Sequence, residues 1–177
     1  MKKILLALLI LLITTSGLFA ATTDNFTVTT VVENVDMMTI SDAEYTGISL
    51  INFNGLTHHL PVTISSTGAP INFNAWLSTL SNNRAGFTVN MKATAMKSSV
   101  SGQADAYINY EVSCNTASVT TNNGTEVTST NPVVTYPTLT EVTSTSNEIA
   151  LTVNQGDFDK ALSGSYTGTV TFMYTAN

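Results

Sequence analysis

Between Tyr166 and Thr175 the chain alternates without a break. Tyr166, Gly168, Val170, Phe172 and Tyr174 fall on one side of an extended backbone, and Thr167, Thr169, Thr171, Met173 and Thr175 on the other. A period of two, rich in β-branched and aromatic residues and led in by Ser163, Gly164 and Ser165, specifies a half-buried strand. The same period recurs in Phe26, Val28, Thr30 and Val32, and again in Phe87, Val89, Met91, Ala93 and Ala95. Ala106, Ile108, Tyr110, Val112 and Cys114 share one face, as do Ile149, Leu151 and Val153, the last before a turn expected at Asn154–Gly156. Val35–Ile40 reads as a further strand, and Ile48–Phe53 and Leu60–Ile64 are short apolar segments separated by Asn54-Gly55. Several short strands divided by turn residues predict an all-β domain, a sandwich or Greek key.

One segment breaks this rhythm. Phe73, Trp76, Leu77 and Leu80 stand at i, i+3, i+4 and i+7, the spacing of one helical face, with Asn72 or Asn74 available as a cap. The spacing predicts one short helix over residues 73–81, with Trp76 plugging the core. Residues 115–147 are Thr- and Ser-rich and carry EVTST twice, at 126–130 and 141–145. A loop of that length is uncommon inside a compact domain, so part of it is expected to be strand.

The N-terminus has the three-part layout of a secretory signal: Lys2 and Lys3, the apolar run Ile4–Ile13, and small residues at Ala20 and Ala21. Cleavage is expected after Ala20, and the apolar run falls short of the ~20 residues that span a bilayer. The expected organisation is a signal peptide over 1–20, an N-terminal extension over 21–33 and one β-domain over 34–177. Beyond the signal, only Arg84, Lys92, Lys97 and Lys160 oppose twelve acidic residues. So few cations argue against nucleic acid or anionic lipid as a partner. Cys114 is the single cysteine, so no intrachain disulfide forms and stability rests on burial and strand pairing. Its place on an apolar strand face reads as a buried small hydrophobe, with an intermolecular bridge or a reactive thiol as the alternative.

Motifs for chemistry are sparse. The sequence has no G-x-S-x-G, no H-E-x-x-H, no Gly-rich phosphate loop and no C-x-x-C. His58 and His59 are adjacent, and on a strand adjacent side chains point to opposite faces, which suits no shared metal. Asn154, Asp157 and Asp159 resemble half of a calcium loop, and an acidic turn leading into Lys160 explains them equally well. No catalytic residues, metal or cofactor are assigned, and an enzyme is not expected.

The two ends narrow the reading. An alternating apolar segment, NFTVTTVVENV (Asn25–Val35), follows the cleavage site, and an alternating strand that begins Y-T-G-T-V occupies the C-terminal stretch. This combination resembles bacterial fimbrial subunits of the chaperone–usher pathway, closest to the disulfide-free α-fimbrial and common-pilus pilins. The resemblance implies an immunoglobulin-like Greek-key sandwich made without its last strand and completed by donor-strand exchange. It implies Phe26, Val28, Thr30 and Val32 as the inward face of a donor strand, and Val170 and Phe172, with Tyr166 or Tyr174, as the wall of an acceptor groove. Its implied partners are other copies or related pilins in a head-to-tail polymer, a periplasmic chaperone, an outer-membrane usher and a host receptor. The implied location is the cell surface, reached through the periplasm. A second reading stands beside it: a self-complete secreted binding module or adhesin, in which Phe26–Val32 pairs within its own sheet and Trp76, Tyr45, Tyr107 and Tyr136 offer stacking platforms.

Overall fold

A computed structural model describes residues 26–64, 69–99, 101 and 103–177. The expected signal peptide and its expected cleavage site lie outside the described residues. The chain divides into two units, Met1–Val32 and Glu33–Asn177. In the first, Phe26–Val32 carries no strand or helix, and its apolar side chains are exposed, Phe26 at 88% and Val28 at 79%.

The second unit is an all-β sandwich of two antiparallel sheets. The first sheet has the order β1 (Asp36–Ser41), β2 (Ile71–Ser81), β9 (Thr143–Val153), β5 (Tyr110–Cys114) and β6 (Ala117–Thr120). The second runs β10 (Thr167–Ala176), β3 (Phe87–Ser98) and β4 (Ala106–Ile108), with β7 (Val127–Thr128) and β8 (Val134–Tyr136) also pairing with β3. In a seven-stranded immunoglobulin domain one sheet is ABED and the other CFG. Here β1-β2-β9-β5 takes the A-B-E-D order, and β3 and β10 take C and F. Among the described residues no strand stands where G would lie, on the outer side of β10.

The core sits between the sheets. The alternation of β3 buries Phe87, Val89, Met91, Ala93 and Ala95, while Ala75 and Leu77 of β2 and Val112 and Cys114 of β5 meet them from the other sheet. The single face read from Ala106 to Cys114 points inward throughout, although the strand changes sheets at Asn109: β4 pairs with β3 and β5 with β9. Asn109 bonds the corner in place. Its backbone N–H and Nδ2 both donate to Asp157, at 3.2 and 2.8 Å, and its carbonyl accepts from Asn154 N.

The helix expected over 73–81 is a strand. Residues 71–81 are the central strand β2, held between β1 and β9, with a bulge between Asn72 and Ala75 and Asn74 in the left-handed region at φ 53°. A half-buried strand alternates, but β2 is buried on both faces. Leu77 enters the main core while Leu80, on the opposite face, packs with Tyr45 and Phe53 in a second cluster. The bulge adds one more shift, and the result imitates a helical face. Trp76 is half-buried on the face opposite Leu77, so it does not plug the core. The second cluster comes from Ile48–Phe53, where Leu50–Asn54 forms the short helix α1, with Ser49 as cap accepting from Asn52 N. The turn expected at Asn154–Gly156 opens a second short helix, α2 (Gln155–Asp159), capped by Asn154 through Asp157 N at 3.0 Å. Residues 115–147 are largely ordered into β6, β7, β8 and the start of β9. The first EVTST contributes β7 in one sheet and the second opens β9 in the other, so the two copies are not a structural repeat.

Candidate functional site: an apolar groove beside the last strand

The outer side of β10 faces an apolar groove of about 880 Å³. Val170 and Phe172 of β10 line it from one sheet, and Phe73, Ala75, Ile149 and Leu151 from the other. Ile40 of β1, Tyr110 and Val112 of β5, Met96 of β3, Ile108 of β4, Phe158, and the segments His59–Ile64 and Gly164–Thr169 also line it. The inward residues of β10 are less covered than those of β3. Gly168, Val170, Phe172 and Tyr174 are only half-buried, whereas their neighbours on β3, Val89, Met91 and Ala93, are at most 1% exposed. An apolar inward face left partly open is a surface that gains free energy when covered, at ~25 cal/mol per Å² removed from water. The backbone adds a second demand, because a strand paired on one side presents a row of N–H and C=O groups on the other.

The structure brings three of the four expected acceptor residues into one lining: Tyr166, Val170 and Phe172. Tyr174 lies beyond its end. Its ring stacks on Phe87, with centroids 4.9 Å apart, and its hydroxyl donates to Asp36 Oδ1 at 2.6 Å. The hydroxyl of Ser81 donates to the same oxygen at 2.6 Å, and Asn34 Nδ2 donates to Oδ2 at 2.7 Å. Burial alone would raise the pKa of Asp36, but the bonds from Ser81, Tyr174 and Asn34 outweigh it and hold the carboxyl below its ordinary value. Burial, reinforced by this carboxylate, pushes the Tyr174 phenol upward. The four expected donor residues, Phe26, Val28, Thr30 and Val32, all lie in the exposed stretch of the first unit.

Gly168 has a specific task in the groove wall. The register of β10 against β3 shifts between Thr167 and Thr169, and a Cβ at position 168 would stand 2.8 Å from the carbonyl oxygen of Thr94. The missing side chain lets β10 approach the bulged backbone of β3, where Ala95 and Met96 oppose this one residue, and leaves this level of the groove without an inward side chain.

Two features of the groove escaped the sequence reading. The segment His59–Ile64, of which Leu60–Ile64 reads only as a short apolar run, lines the groove without being a strand, with Leu60 76% and Val62 37% exposed. It is anchored by His59, whose N–H donates to the Ile40 carbonyl and whose Nε2 meets the Phe73 carbonyl oxygen at 2.8 Å. The alternation of Leu60, Val62 and Ile64 was the available signal. Asp36 gave none, because two of its three partners, Ser81 and Tyr174, are distant in sequence.

The remaining candidates are engaged elsewhere. His58 bridges to Ser41 and its Nε2 lies 3.4 Å from the Thr39 hydroxyl, while His59 turns into the groove, so the two rings share no site. Asp157 is spent on Asn109, and Asp159 accepts from Gln155 at 2.7 Å. Among the described residues no group of three or more His, Cys, Asp or Glu is placed to hold a metal ion. Cys114 is buried in the core, and burial pushes its thiol up to about 12, which makes it a poor nucleophile. Compared with protein-family models, with curated proteins and with solved structures, the chain matches none.

Proposed function

We propose that this chain is a structural subunit of a bacterial surface fimbria, polymerised by donor-strand complementation and contributing to attachment. The observation that carries the proposal is the apolar groove along the unpaired side of β10, at the G position of an otherwise complete A–F strand set. A strand laid there would satisfy the free backbone edge and cover Val170 and Phe172 with every second side chain. Phe26–Val32 has the required composition and period, and its apolar side chains are exposed. Offered by one copy to the groove of the next, it makes a head-to-tail contact that propagates into a fibre and does not close a ring. The subunit is taken to cross the periplasm with a chaperone that shields the groove, to pass an outer-membrane usher, and to meet a host receptor at the cell surface.

The self-complete module places Phe26–Val32 as a strand of its own sheet, and these residues carry no strand. Of its stacking platforms, Tyr45 is buried beside Phe53, so it offers no ring to a ligand. Deleting residues 21–33 is expected to abolish polymers in electron micrographs and on sizing columns while the remaining domain keeps its β-sheet circular dichroism. Fibres formed by the truncated chain would overturn the proposal.

A further inference from the structure

Each sheet ends in an edge strand, β1 in one and β10 in the other, and just past the end of the groove a side-chain hydrogen bond joins the two. Tyr174 of β10 reaches Asp36 of β1 at 2.6 Å, and Ser81 holds the same carboxylate oxygen from β2. The lining contributed by β10 stops at Phe172, one inward position short of this clasp. At the other end the hydroxyl of Tyr166 donates to the nearby Leu162 carbonyl, and Leu162 and Phe158 are 67% and 42% exposed.

We infer that the Tyr174–Asp36 clasp sets the register of the strand that occupies the groove, by filling the interior at the level where one more inward side chain would enter. The inference rests on the fimbrial reading and names the residues that make its joint specific. Successive inward side chains of an added strand lie ~7 Å apart. Levels beside Gly168, Val170 and Phe172 accept apolar groups. At the next level an apolar side chain would press on Asp36 and strip solvent from its carboxylate, which is costly for a charged group. A slip of two residues toward the clasp is penalised in this way. A slip of one residue is excluded already, because it turns the whole apolar face outward.

Disulfide mapping in the assembled polymer tests this. Phe172→Cys is combined in the mature chain with Phe26→Cys, Val28→Cys, Thr30→Cys or Val32→Cys in turn, and inter-copy bridges are scored after mild oxidation; buried Cys114 stays silent. With the clasp intact, one donor position is expected to dominate. In Tyr174→Phe, which keeps the ring on Phe87 but frees the Asp36 carboxylate to turn away from the groove end, a second position two residues away should gain about tenfold or more, the weight of one hydrogen bond to a charged acceptor. Asp36→Asn is expected to do the same; should it fail to fold, Tyr174→Phe decides. An unchanged single partner in Tyr174→Phe overturns the clasp and leaves the fimbrial reading standing. No inter-copy bridge in any pair with the clasp intact overturns both.

Discussion

A chain that lacks residues 21–33 at its start and carries them after Asn177, through a linker of a few residues, is expected to be a monomer of raised thermal stability. Asn177 is tied to the β2–β3 turn, its N–H donating to the Gly86 carbonyl at 3.0 Å. From there an appended segment can turn back and run antiparallel along the free side of β10. Phe26, Val28 and Val32 would then be covered in the groove, each contributing ~1.5–3 kcal/mol, with ~5–9 kcal/mol as an upper value for the three. That approaches the ~5–15 kcal/mol that holds an ordinary domain together. For a domain of this size each kcal/mol moves Tm by ~2–4 °C, so a rise of ~10 °C or more over the truncated domain is expected by calorimetry. Placing Asp at positions 26, 28 and 32 of the appended segment should remove the gain. Equal Tm with and without the appended strand would show that the groove has no use for it.

The substitution Gly86→Ala is expected to be the most damaging single change outside the core. Gly86 sits at φ +83°, and a Cβ there would stand 1.9 Å from the Tyr136 carbonyl oxygen and 2.7 Å from the Pro137 carbonyl carbon. Both obstacles are backbone, so no side-chain rotation relieves the overlap. The residue also closes the β2–β3 turn through Asn83 and holds the end of β10 through Asn177, directly before fully buried Phe87. Strained backbone together with displaced β8 and β10 should cost ~3 kcal/mol or more, which corresponds to a Tm lower by ~6–12 °C. A variant that melts within about 2 °C of the parent would contradict the tight approach of β8 to this turn.

The strands that face one core were legible because their chemistry alternates. Phe87–Ala95, Ala106–Cys114 and Tyr166–Tyr174 each name their inward face in the sequence, and the structure turns those faces inward. What the sequence concealed has physical reasons. In β2 both faces are covered, so Leu77 and Leu80 are both apolar and the period of two is lost. The outer cover comes from α1, whose five residues are too few to display a helical period. The groove was legible on the β10 side, where Val170 and Phe172 carry the pattern, and not on the side of His59–Ile64, which lines it without ladder pairing. The Asp36 clasp joins residues that are 138 positions apart, and no local pattern announces such a pair.

The central claim is that β10 lacks a neighbour on its outer side and that another copy supplies one. Amide hydrogen exchange of β10 in the polymer, compared with the unpolymerised mature chain, tests it most directly. The amides of Thr167–Phe172 that face away from β3 have no ladder partner among the described residues and should exchange quickly in the isolated chain. In the polymer they should slow by several orders of magnitude, together with amides of residues 26–32, as a buried ladder forms between copies. Equal exchange of both segments before and after assembly would contradict the account.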